Sequence, residues 1–166
     1  MRIKGAEELR SVNAGRYLVT YSNAGIVRVT LRTVKGDTAK DPANPSLPKF
    51  VRDAINDLER YHRGERIDFR RLVLDRSLLT SFQASVLREL SKVPYGKTTD
   101  YGSLAKRVGK PGASRAVGTA VGKNPWMVIV PCHRVLRKDG SIGGFSAPGG
   151  LVTKRNLLSI EGITVK

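Results

Sequence analysis

Tyr101-Gly102-Ser103-Leu104-Ala105-Lys106-Arg107-Val108-Gly109-Lys110-Pro111-Gly112-Ala113-Ser114-Arg115-Ala116-Val117-Gly118-Thr119-Ala120-Val121-Gly122-Lys123 divides into two short helical segments about a tight turn. The first spans about Tyr101 to Val108, and Gly109 to Gly112 is the turn. The second runs from Ser114, as N-cap, to about Lys123. Two short helices around a glycine-containing turn are the pattern of a helix-turn-helix. Gly118 and Gly122 lie four apart on the second helix, with Ala116 and Ala120 also small. Each interior glycine costs a helix roughly 1 kcal/mol against alanine, so two on one face predict close approach of another backbone. That backbone is either the protein's own or a nucleic acid, with Arg115 and Lys123 flanking the smooth face.

Downstream lies the one cysteine of the chain, in Pro131-Cys132-His133-Arg134-Val135. A thiolate is the reactive form of cysteine, and a nearby base can generate it. Neighbours in sequence do not face each other on a regular helix and point to opposite faces on a strand. Cys132 and His133 therefore cooperate only across irregular backbone or through water, and Pro131 predicts such a break. Arg137 to Ser141 reads as a hairpin turn, Gly143 to Gly150 as a glycine-rich loop, and Leu151 to Glu161 as a last helix. The loop lacks the Gly-Lys-Ser/Thr ending of a phosphate-binding P-loop. A single cysteine excludes an internal disulfide and leaves no cysteine pair for zinc.

Upstream, Thr80 opens a capping box with Gln83, and Phe82, Val86, Leu87 and Leu90 continue as one apolar stripe. Pro94-Tyr95-Gly96 stops that helix. Two strands are expected within 16–34 around the turn Ser22-Asn23-Ala24-Gly25, then a loop from Gly36 to Pro48. A helix follows from about Pro48 to His62, with Asp53 and Asp57 on a solvated face and His62 suited, as a cation, to the helix end. Asp68 to Leu74 is a further candidate strand. The expected domains are 1–77, mixed α/β, and 78–166, helical, so the fold class is α/β (α+β).

Thirty Lys and Arg against fourteen Asp and Glu give a net charge of +16. Residues from Ser91 onward carry 13 basic and 3 acidic side chains, the more cationic part. Such a balance favours a polyanionic partner through phosphate contacts and counterion release. No run of 18 apolar residues exists and the N-terminus has no apolar signal core, so a cytoplasmic, reducing location is expected.

From about Thr80 to Gly162 the sequence resembles the O6-alkylguanine-DNA alkyltransferases, the methylated-DNA–protein-cysteine methyltransferases. The resemblance rests on an ordered set: Phe82-Gln83, Pro94-Tyr95-Gly96-Lys97, Tyr101-Gly102, Arg115-Ala116-Val117-Gly118, Asn124-Pro125, Pro131-Cys132-His133-Arg134-Val135, Gly143-Gly144-Phe145-Ser146 and Glu161-Gly162. It implies an RNase H-like N-terminal domain, a winged-helix-like C-terminal domain, a monomer, and no cofactor, the protein itself being the acceptor. The implied partner is double-stranded DNA carrying O6-alkylguanine, bound through the minor groove with the lesion flipped out. By the same resemblance Cys132 is the nucleophile, His133 a base acting through water, Glu161 its orienting carboxylate and Asn124 the hinge side chain. Tyr101 assists extrusion and donates to the leaving guanine, Arg115 is the finger entering the duplex, and Val135 (by its carbonyl) and Ser146 hold the base. Ala116, Gly118, Gly122 and Lys123 fall on the DNA-facing helix, and Lys154 supports the active-site loop. Read without the family, Glu161 is a surface carboxylate near a helix C-terminus and Asn124 a helix C-cap before Pro125.

Three departures stand out: Phe145 where the family usually has tyrosine, an apparent insertion at Ala147-Pro148, and Asp100 where a small polar residue is usual. Two rival readings use the same residues. One is a hydrolase built on Cys132, His133 and Glu161; the other is a helix-turn-helix regulator with a sensing thiol.

Overall fold

The computed structural model describes residues 8–32 and 44–165. The loop expected from Gly36 lies outside them up to residue 43, as does the N-terminal segment through residue 7. Alternating apolar residues build an antiparallel sheet of β1 (Arg10–Ala14), β2 (Tyr17–Tyr21) and β3 (Ile26–Leu31), in that spatial order. Strand β1 was not expected from the sequence; its Val12 faces Val19 across the ladder. Helix α1 (Lys49–His62) packs on β2 and buries Val51, Ala54, Ile55, Leu58 and Tyr61.

Three expectations in this region are corrected. Asp68 to Leu74 is not a strand. The Asp68 carboxylate accepts from the Arg70 amide at 3.0 Å, drawing Phe69–Arg71 into a 3-10 turn, and only Leu74 bridges to the sheet. Asp57 is not solvated: it is 0% exposed and takes both its oxygens to Arg71 at 2.6 Å. His62 is not a dipole-stabilising cation, because burial pushes its pKa down to about 4 and its Nε2 meets the Tyr17 hydroxyl.

The free edge of β3 is covered by two distant segments. The Ile26 amide donates to the Val73 carbonyl and the Asp75 amide to the Ile26 carbonyl, both at 2.9 Å. Gly25 is required there: a side chain on it would meet the Val73 carbonyl at 2.8 Å, and its φ is +148°. Further along, the Val29 amide donates to Pro125 at 2.8 Å, the Met127 amide to Val29 at 3.2 Å, and the Trp126 indole to Ile26 at 2.8 Å. The sheet thus splints the chain just upstream of Cys132.

Helix α2 (Ser81–Ser91) starts with the expected capping box of Thr80 and Gln83. After β4 (Thr99–Asp100), helices α3 (Tyr101–Arg107) and α4 (Ser114–Gly122) form the helix-turn-helix and both pack on α2. Gly109 and Gly112 turn the chain at φ of +71° and +91°. Ser114 is the first helical residue and not the N-cap; Ala113 holds that place without a side-chain bond. The unusual Asp100 caps α3, accepting from the Gly102 and Ser103 amides at 2.8 and 3.0 Å. A 3-10 turn over Cys132–Arg134 leads into β5 (Val135–Leu136), which pairs parallel with β4. The turn at 137–141 forms, with the Arg137 amide bonded to Ser141 at 3.0 Å, but no hairpin strand follows it. Helix α5 (Gly150–Ile160) packs on the 3-10 turn. The described residues therefore form a mixed α/β fold carrying a helix-turn-helix. No helix among them is long and apolar enough to cross a membrane.

Candidate active site

Pro131, at φ −80° and ψ 66°, breaks the chain before the cysteine, and the Cys132 amide turns back to the Val130 carbonyl at 2.8 Å. This is the irregular backbone that the adjacent thiol and imidazole require. Cys132 is 9% exposed and opens onto a cavity of about 590 Å³. Tyr101, Gly118, Asn124, Phe145 and Ser146 share that cavity. Burial pushes the Cys132 thiol up, against a hydrogen bond from Asn124 and the Lys154 ammonium, which both lower it.

Behind the cysteine lies a closed charged cluster. His133 is 0% exposed, and its Nε2 meets Glu161 Oε1 at 2.7 Å. Arg134 donates to the same carboxylate from Nε at 2.9 and 3.1 Å and from Nη2 at 2.9 Å, and gives Nη1 to the Val93 carbonyl at 2.6 Å. The Tyr61 hydroxyl and the Gly96 amide add bonds of 2.8 and 3.0 Å to Glu161. Burial would raise Glu161, but these donors, His133 and Arg134 above all, hold it down at about 2. Burial lowers His133, outweighing the pull of Glu161. Since an ionised carboxylate only accepts, the neutral imidazole carries its proton on Nε2. Nδ1 is then a bare lone pair, and it has no partner among the described residues.

Asn124 ties the end of α4 to the cysteine strand: its Nδ2 donates to Val130 at 2.8 Å and to Trp126 at 3.3 Å, and its Oδ1 accepts from the Trp126 amide at 3.0 Å. It is not the C-cap, which is Lys123. Glu161 is 6% exposed, which removes the surface-carboxylate reading. The Tyr101 ring lies across Gly118, and its hydroxyl is raised by burial and by the nearby Cys132. A side chain on Gly118 would meet only that ring, at 3.7 Å, and one on Gly122 only the Ser146 hydroxyl, at 3.9 Å. Among the described residues, no backbone outside α4 lies within 4 Å of where a Cβ on either glycine would sit. Ser146 donates to the Gly122 carbonyl at 2.6 Å. Gly122 and Lys123 also border the cavity, whereas Arg115 and Ala116 are exposed on α4 outside it. Val135 is fully buried away from the cavity, its carbonyl accepting from Lys154 at 2.6 Å. Lys154 reaches the Gly143 carbonyl as well, at 3.3 Å, joining the glycine loop to β5. Its burial lowers its pKa to about 8.

Two members of the cluster had no role in the sequence reading. Tyr61 continues the buried stripe of Ala54 and Leu58 at helical spacing, which signals burial but not its partner a hundred positions away. Arg134 stood inside the cysteine motif, and nothing in the sequence showed that it would be buried.

A buried thiol beside an imidazole–carboxylate pair, set under a helix-turn-helix, defines a cysteine-dependent protein of the nucleic-acid-binding class. Residues 81–163 match the family described as 6-O-methylguanine DNA methyltransferase, DNA binding domain. The chain is similar to the methylated-DNA–protein-cysteine methyltransferase of Mycolicibacterium paratuberculosis, with 37% identity over 93% of this chain and 92% of that protein. It is 44% identical to the Methanosarcina acetivorans protein of the same name, over 69% of this chain and 70% of the other. Among solved structures it resembles Mycobacterium tuberculosis OGT in complex with DNA, at 33% identity and a TM-score of 0.68, covering 93% of this chain and 92% of that one. The O6-methylguanine-DNA methyltransferase of the archaeon Pyrococcus kodakaraensis has a TM-score of 0.66 at 26% identity, covering 93% and 98%. The chain belongs to the methylated-DNA–protein-cysteine methyltransferase family.

Proposed function

We propose that this protein repairs DNA by direct reversal, moving the alkyl group of O6-alkylguanine onto Cys132. One observation carries the assignment of roles: the cavity that opens on DNA-binding helix α4 ends at a thiol, and the imidazole next to it is buried, neutral and bare at Nδ1. Because burial raises the thiol, Cys132 rests protonated, and a proton acceptor is required at the moment of attack. In the proposed step, His133 Nδ1 takes the thiol proton through a water. Glu161 holds the ring and balances the imidazolium, and Arg134 fixes that carboxylate in place. The S–C bond forms as the C–O6 bond breaks in line, and guanine leaves with a hydrogen bond from Tyr101. The product is a thioether, which no residue of the site can cleave, so each molecule acts once.

The lesion reaches the cavity by flipping out of a duplex bound along its minor groove by α4. The smooth strip of Gly118 and Gly122 suits that narrow groove, with the exposed Ala116 adding little bulk on an adjoining face, and Arg115 fills the vacated stack. Ser146 faces the base, while the Val135 carbonyl, held by Lys154, acts only by positioning the segment beside the cavity; O4-alkylthymine is a further substrate. Residues 1–77 are read as an RNase H-like α/β domain and 78–166 as the DNA-binding domain, acting together as a monomer in the cytoplasm. The hydrolase and thiol-sensor readings have no support in the family.

Incubation with duplex DNA bearing one O6-methylguanine, followed by peptide mass measurement, tests the proposal. One added methyl on the peptide carrying Cys132, lost in Cys132→Ser, is the expected result. Repeated turnover, or methyl on another residue, contradicts it.

A further inference from the structure

The cavity's rim bears two cations and no carboxylate. Arg28, on β3, and Lys123, at the end of α4, both line it and are exposed, and no Asp or Glu shares the lining. Neither cation has an ion-pair or hydrogen-bond partner among the described residues. The backbone explains how residues so far apart meet. Val29 pairs with Pro125 and Met127. Arg28, Val29 and Thr30 all border the cavity; Val29 is buried, and alternation along the strand leaves Arg28 exposed and Thr30 half-buried. Lys123 sits two positions before Pro125, so the ladder that splints the cysteine segment brings both cations to the lining of one cavity.

We propose that Arg28 is a phosphate-binding residue, holding, with Lys123, the backbone phosphate of the nucleotide turned into the cavity. This rests on the reading of the site as an alkyl-transfer site. The physical reason is that a nucleotide cannot rotate out of a duplex without carrying its phosphate to the cavity mouth. There a planar guanidinium forks onto two phosphate oxygens. The N-terminal sheet then takes part in recognising the lesion and is not only a support.

The test compares wild type with Arg28→Gln and Arg28→Lys in single-turnover methyl transfer, on a duplex holding one O6-methylguanine and on the free base O6-methylguanine, across a salt series. Because Arg28→Gln removes one of the two cations on that phosphate, its duplex-to-free-base rate ratio falls about fivefold at 0.15 M salt, and the slope of log duplex affinity against log salt shrinks, by at most about 0.9. Arg28→Lys recovers the slope. Either quantity staying at its wild-type value in Arg28→Gln, or both substrates slowing equally, overturns the proposal. Failure of the wild-type protein to transfer methyl at all would instead strike the alkyl-transfer reading.

Discussion

Cys132 and His133 are adjacent in the chain and live in opposite surroundings. The thiol opens on a cavity lined by glycines, two aromatic rings and two exposed cations, while the imidazole belongs to a sealed cluster of Glu161, Arg134 and Tyr61. One side is left open for a ligand; the other has nearly every polar atom matched. Among the described residues the one buried side-chain polar atom left unmatched, His133 Nδ1, marks the border between them. Stability and reactivity are therefore separable here, stability residing behind the cysteine and reactivity in front.

The largest effect should come from opening the sealed side. Glu161→Ala strands a buried guanidinium and should lower unfolding free energy by about 3–5 kcal/mol in urea titration. Cys132→Ser, on the open side, should cost about 1 kcal/mol or less while ending transfer. Similar losses in the two variants would erase the contrast. Tyr61→Phe removes one donor to an ionised acceptor; about 2 kcal/mol of stability and a slower transfer are expected.

Acid should attack the same side. The Glu161 pKa, about 2 in the fold, lies below the ordinary 4.5. Its stabilisation is thus present above pH 4.5 and lost as pH falls from there towards 2, worth about 3 kcal/mol. Unfolding curves of wild type and Glu161→Gln should converge through that window, and parallel curves would refute the linkage.

The smallest effect separates the two sides by sign. Gly118→Ala places a methyl in ordinary contact with Tyr101 and gains helix propensity, so the melting temperature should rise, by up to about 1 kcal/mol of stability. Transfer from duplex DNA should fall, because the strip facing the groove thickens. A variant both more stable and equally fast would show that the glycine serves packing alone.

Much of this was legible in the chain. The capping box at Thr80, the two helices around Gly109 and Gly112 and the break at Pro131 are local features, and local chemistry is what a sequence displays. The cluster was legible only through the family resemblance, since Glu161 lies 28 positions from His133 and no periodicity links them. What stayed hidden was long-range: Tyr61 under the histidine, Arg134 turned inward, and β3 laid along Pro125 to Met127. The errors share that origin. Asp57 and His62 sit on a helix whose polar residues read as solvated, until Arg71 and Tyr17 arrive from elsewhere. Asp68 was misread because a side-chain cap outcompeted strand propensity.

The ties that hold the cysteine turn have an implication for how the protein is made. Tyr61 comes well before the thiol, and Glu161 is translated after it. A nascent polypeptide that has just exposed Cys132 to the cell still lacks the carboxylate that selects the histidine tautomer. The sulfur of a single-use reagent is thus kept dull during synthesis and becomes competent only after the downstream helix has docked.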